Sequence, residues 1–156
     1  MTLNDLQVIA QSIVAQARVL SDKHTSERNA PVNYACIFTQ SNFEYEEMLS
    51  LARQLGNVAE ETAMGPVFSI TPIPTEAGEL HLLKIRRPDP KRPERGDADF
   101  TVSDYLAFKQ AHLTKPGFSL IERKNMEMIE LIDPSFAVLA YYSHPPLAEV
   151  LKLQAH

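Results

Sequence analysis

Asp97 and Asp99 stand two residues apart in the segment DADFTV, just after a charged, proline-rich stretch. On a β-strand, residues i and i+2 share a face, so the two carboxylates would lie side by side. Neighbouring carboxylates share a proton and raise one pKa toward the range of a general acid or base, which makes Asp97 and Asp99 the candidate catalytic residues. The competing expectation is that both leave a charged linker at a strand edge and stay in water. Tyr34, Cys36 and Phe38 alternate in the same way along VNYACIFT, as do Lys84 and Arg86 along HLLKIRR. Thr101 continues the Asp97 face, and Tyr142 is taken in phase with Val138 and Ala140. Lys84 and Arg86, if they point inward, would favour a carboxylate or phosphate; as strand-end charges they would reach out to water.

Cys36 is the only cysteine, which excludes an intrachain disulfide and a four-cysteine metal site. No cation adjoins it in sequence, so it reads as a small buried apolar group rather than a reactive thiol. The five histidines, His24, His81, His112, His144 and His156, show no H-x-H or H-x-x-x-H spacing, hence no local metal clip. His81 would join Asp97 as a metal ligand only if its strand register shifts by one. Glu127 and Glu130 have opposite parity and should face opposite sides of a sheet. No phosphate loop, nucleotide-binding glycine fingerprint or serine-nucleophile elbow occurs, and five glycines leave little to build one from.

The elements that must position these groups follow from periodicity. Thr2 caps a first helix with Asp5 at the reciprocal position, and Leu6, Ile9, Ile13, Ala17 and Leu20 form its apolar stripe. A polar loop runs from Ser21 to Pro31. Strand residues 32–39 lead to a helix capped by Ser41, with Phe43, Met48, Leu51, Ala52 and Leu55 on its apolar face and Gly56 as its stop. Strands are expected over 57–63, 66–73 and 79–86. After the connector RRPDPKRPERG the order repeats: strand 97–102, a helix capped by Ser103 and running to about Leu113 with Tyr105, Leu106 and Phe108 available for packing, then strands 118–122, 126–132 and 137–142. His144-Pro145-Pro146 opens a last helix bearing Leu147, Val150, Leu151 and Leu153. The fold class is therefore α+β, two βαβββ modules (32–86 and 97–143) joined by a linker (87–96) in one domain, with an N-terminal helix and loop (1–31) and a C-terminal helix (144–156).

Paired βαβββ units resemble the vicinal oxygen chelate superfamily, the fold of glyoxalase I and the extradiol dioxygenases. DADFTVSD is similar to that family's H-I-A-F-x-V-D-D segment, and MEMIELIDPSFAVLAYYSHP to its D-P-D-G-N-x-x-E-F hairpin. The added terminal helices are similar to a poorly characterised bacterial branch classed as metal-binding. The resemblance implies two modules curled into a half-open barrel around a divalent metal, with opening ligand positions at Tyr34 and Asp97 and closing positions near Leu82 and at Ala140. The family's register would turn Tyr34, Cys36, Phe38, Asp97, Asp99, Thr101 and Tyr142 inward to line one small pocket. Of these only Asp97 is a good ligand, so the usual three-ligand set is not present as written. The implied function is a cup for a small organic molecule, anionic if Lys84 and Arg86 face inward: a metal-dependent lyase, isomerase or dioxygenase relative, or a metal-free binding or protein-interaction protein.

Composition bounds the rest. The chain has 156 residues, 44% apolar and 22% charged, with net charge −5. That is ordinary for a globular protein and argues against a phosphate-covering surface. The connector holds five basic and two acidic residues but no aromatic side chain to stack on bases, so a solvated linker is expected and no nucleic-acid partner. No apolar run reaches the length of a membrane span, and the N-terminus lacks a secretory layout, so a cytoplasmic location is expected with no membrane partner. The first helix should pack on its own sheet or on the second subunit of a homodimer.

Overall fold

The computed structural model describes the backbone of residues 1–154 and the side chains of residues 1–151. His156 and the Leu153 side chain lie outside the described residues. The elements are α1 (Leu3–His24), β1 (Val32–Phe38), α2 (Asn42–Leu55), β2 (Gly56–Glu60), β3 (Val67–Thr75), β4 (Gly78–Arg86), β5 (Gly96–Phe100), α3 (Tyr105–His112), β6 (Phe118–Glu122), β7 (Glu127–Leu131), β8 (Val138–His144) and α4 (Leu147–Gln154). No helix is long and apolar enough to cross a membrane among the described residues.

Each half is a βαβββ unit whose first strand pairs in parallel with its last, β1 with β4 and β5 with β8. The remaining pairs are antiparallel. β1 and β5 meet antiparallel, so the halves share one open eight-stranded sheet in the order β2-β3-β4-β1-β5-β8-β7-β6. At this seam Cys36 lies opposite Asp97, and Tyr34 opposite Asp99. Gly96 is needed there: a Cβ on it would stand 2.2 Å from the Cys36 carbonyl oxygen and 2.8 Å from Ile13 Cδ1.

Strand alternation divides the sheet into two faces. Ala35, Ile37, Leu83, Ile85, Ala98, Phe100, Val138, Ala140 and Tyr142 turn toward α1, α2 and α3 and form the main core with them. α1 touches β1, β3, β5 and β8, so it spans both halves. Its capping box, Thr2 with Asp5, satisfies the first free amides, and Leu6, Ile13 and Leu20 are buried at two-turn spacings. Burying each such side chain contributes about 1.5–3 kcal/mol.

α1 runs through Ser21 to His24 instead of ending at Leu20. Ser21 is buried and accepts a hydrogen bond from the Tyr142 hydroxyl at 2.7 Å, while Lys23 and His24 both reach Asp133. α3 begins one residue later than expected, because Asp104 rather than Ser103 accepts the Ala107 amide. Phe43 and Leu106, assigned to packing faces, are 78% and 66% exposed. Helical period puts Phe43 on the side away from Met48 and Ala52. The connector keeps Arg87, Pro90, Lys91 and Pro93 exposed, as a solvated linker would, but it is tied down at its end. Arg95 donates to both oxygens of Glu44, at 2.6 and 3.2 Å, and to the Phe38 carbonyl at 3.1 Å.

Candidate functional site

The second face of the sheet carries its own apolar cluster of Cys36, Phe38, Leu139 and Tyr141, with Tyr34, Ile121, Met128 and Ile132 packed on it. In register, Lys84 flanks Cys36 on one side and Asp97 on the other, and Arg86 lies beside Phe38. β8 has the opposite phase to the one expected. Asp97 pairs with Leu139 and Asp99 with Tyr141, so Tyr142, Val138 and Ala140 face the helices. Tyr142 is thus a core residue bonded to α1, not part of the pocket lining. The strand VLAYYSH is apolar on both faces, which leaves its phase unreadable from pattern.

Both aspartates are buried, not solvated at a strand edge. Asp99 accepts hydrogen bonds from the Ser143 amide at 3.0 Å, the Ser143 hydroxyl, and Asn33 Nδ2 at 3.1 Å. Burial nonetheless outweighs these bonds and pushes its carboxyl up to about 6. Asp97 has less support: its Oδ1 is buried with no hydrogen-bond partner. Burial first, opposed by Lys84 and reinforced by Asp99, pushes the Asp97 carboxyl up to about 8. The same burial, with the Asp97 charge beside it, raises the Cys36 thiol well above its ordinary value, so Cys36 is an inert, 2% exposed side chain. Tyr34 is raised likewise, by burial and by Asp97 and Asp99.

At one end of this face the connector folds over Phe38. The Arg86 and Arg92 guanidinium carbons sit 4.7 and 6.0 Å from the Phe38 ring centre. Arg86 pairs with Asp89 at 3.1 Å; Arg92 reaches Glu130 at 3.4 Å, and Glu130 also accepts the Tyr141 hydroxyl. Glu127 has the other parity and binds Tyr105 and Lys109 at the edge of α3.

The other end is open space. A cavity of about 470 Å³ lies between Tyr34 of β1, Lys84 of β4, the Glu60–Met64 end of the first half, the Arg123–Met126 turn of the second, and α4. Its apolar walls are Met64, Val67, Met126, Met128, Leu147 and Val150. Asn33, which bonds Asp99, also accepts the Ala148 amide at 3.4 Å and so ties α4 to the seam. Lys124, Met126, Met128, Arg92, Tyr141 and Ser143 were not singled out from the sequence, while Glu130 had only a parity and Leu147 only a place on the last helix. The paired-module resemblance places a cup, but it gives no register for β7 and β8 and no position for α4.

Two further sequence-derived residues fall elsewhere. Thr101 lies beyond the end of β5, where its amide bonds the Pro31 carbonyl, and it lines a surface depression with Ser26–Pro31. His81 is exposed and 3.7 Å from the exposed Glu79. An irregularity in the β3–β4 pairing between Ser69 and Ile73 accompanies this, and His81 does not join Asp97. No group of three or more His, Cys, Asp or Glu side chains suited to a metal ion occurs among the described residues. Around Asp97 stand one further carboxyl, Asp99, a thiol, and the cations Lys84, Arg86 and Arg92, so these donors do not fit a divalent cation.

No family model and no curated protein matches the chain. Among solved structures, a chain described as "Structural Genomics, Protein EC4020" is similar with a TM-score of 0.73, covering 96% of this chain and 91% of that one at 14% identity. At that identity the likeness concerns the sheet-rich fold alone.

Proposed function

We propose that this protein binds a small organic molecule in the cavity between its two half-sheets, as a metal-free member of the vicinal oxygen chelate architecture. The observation that carries the reading is the cavity itself: about 470 Å³, walled mostly by apolar side chains with a few convergent polar groups, within the size range of ligand sites. The order β2-β3-β4-β1-β5-β8-β7-β6, built from two βαβββ units, supports the architectural part. The donor set around Asp97 supports the absence of a metal step. A lyase, isomerase or dioxygenase acting through a chelated metal lacks a three-ligand set among the described residues.

A thermal-shift screen of small organic acids, alcohols and amines, run with and without excess chelator, tests this reading. Stabilisation by at least one compound, unchanged in chelator, is expected. A shift that vanishes with chelator would return the site to metal chemistry. Val67→Trp, which fills the cavity, should abolish the shift; its persistence would move the ligand elsewhere.

A further inference from the structure

Lys84 and Tyr34 present unused donors to the cavity. Lys84 is half-buried and belongs to none of the ion pairs among the described residues. Tyr105, Tyr141 and Tyr142 donate their hydroxyls to Glu127, Glu130 and Ser21, whereas the Tyr34 hydroxyl has no such protein acceptor among the described residues. Both side chains line one cavity, opposite walls of methionine, valine and leucine. The acidic group on the inner side of Lys84, Asp97, two strands away across Cys36, is held protonated below about pH 8, so the ammonium keeps its charge for an anion in the cavity.

We infer that the ligand is a monocarboxylic acid with an apolar body, its carboxylate held by the Lys84 ammonium and the Tyr34 hydroxyl and its body against Met64, Val67, Met128 and Leu147. This rests on the preceding reading of the cavity as a ligand site and deepens it. One point charge and one phenol match the two oxygens of a carboxylate. They fall short of the several donors, commonly an arginine fork, that a phosphate takes, and the nearby Arg86 fork is engaged by Asp89. Charge at the rim agrees: Lys84, Arg123 and Lys124 against Glu60 alone attract an anion and repel an amine. Methionine walls adapt to an unbranched chain or a ring without demanding one shape.

The protein's own methionines supply the readout. Of its five, Met64, Met126 and Met128 line the cavity, while Met1 is at the N-terminus and Met48 is fully buried in the main core. With methyl-labelled methionine, titration by octanoate or 4-phenylbutyrate should move the three cavity signals and leave Met1 and Met48 in place. Octan-1-ol, octylamine and octyl phosphate should each bind at least tenfold more weakly than octanoate. Lys84→Met should weaken octanoate at least tenfold without changing octanol, and Tyr34→Phe, which keeps the ring, should weaken it severalfold. Equal binding of alcohol and acid, tighter binding of amine or phosphate, or an unaffected Lys84→Met overturns the carboxylate assignment while the cavity remains a ligand site. If no probe moves the three cavity signals, the ligand-site reading falls as well.

Discussion

Between pH 4 and pH 8 the folded chain holds a proton at Asp97 that the unfolded chain has released, because the carboxyl rises from an ordinary 3.8 to about 8 on burial. A raised acid is stabilising only in its neutral form, so its effect is harmless below the unfolded value and becomes a progressive loss as pH climbs toward the folded one. Unfolding free energy should therefore decline from about pH 4 to about pH 8. Asp97→Asn keeps the shape and stays neutral. It should flatten the decline and add about 1–3 kcal/mol at pH 8, read from urea unfolding at pH 5 and pH 8. An unchanged slope in the variant would assign the proton elsewhere, Asp99 at about 6 being the next group. That these two aspartates share a face was legible in DADFTV, since alternation needs only a strand. Their burial was not legible, because it depends on Ser143, Asn33 and Lys84 arriving from other strands. Tyr142 shows the limit most clearly: a strand apolar on both sides carries no mark of which side is which.

α1 behaves as the roof of the helix-side core rather than as an appendage. Ile13 is 1% exposed and meets the seam at Gly96, while Val8 on the outer side of the same helix is 51% exposed. Ile13→Ala should cost about 2–5 kcal/mol and Val8→Ala less than about 0.5 kcal/mol in urea unfolding. Equal small losses would mean that the helix contributes little to the sheet's stability. The stripe and the N-terminal cap of this helix could be read from sequence, since Thr2, Asp5 and the one-turn apolar spacing are local signals. Its last turn could not, because Ser21 is made helical and buried by a hydroxyl 121 residues away in sequence, on Tyr142. The succession of strands and helices along the chain was legible for the same reason as the helix stripe, while the strand ends, set by turns such as Thr62–Gly65, moved by a few residues.

Across the whole molecule, the connector holds the two halves together at more than its covalent ends. Its prolines and charges read as solvated strap from composition, yet Arg92 and Arg95 return to Glu130 and Glu44 and stack or bond around Phe38. Arg95→Met removes a two-pronged contact with Glu44 and a bond to the Phe38 carbonyl, and should cost about 1–3 kcal/mol; an unchanged unfolding midpoint would reduce the contact to decoration. The seam has a wider consequence. β1 offers its edge to β5, a strand that every other copy of the chain also carries. Reciprocal exchange would reuse the native hydrogen bonds and yield a two-chain particle in which each hollow is assembled from one polypeptide's front and the other's back. Freed of its arginine clasp, the Arg95→Met chain is where such intertwined pairs should first be seen in concentrated solution by light scattering.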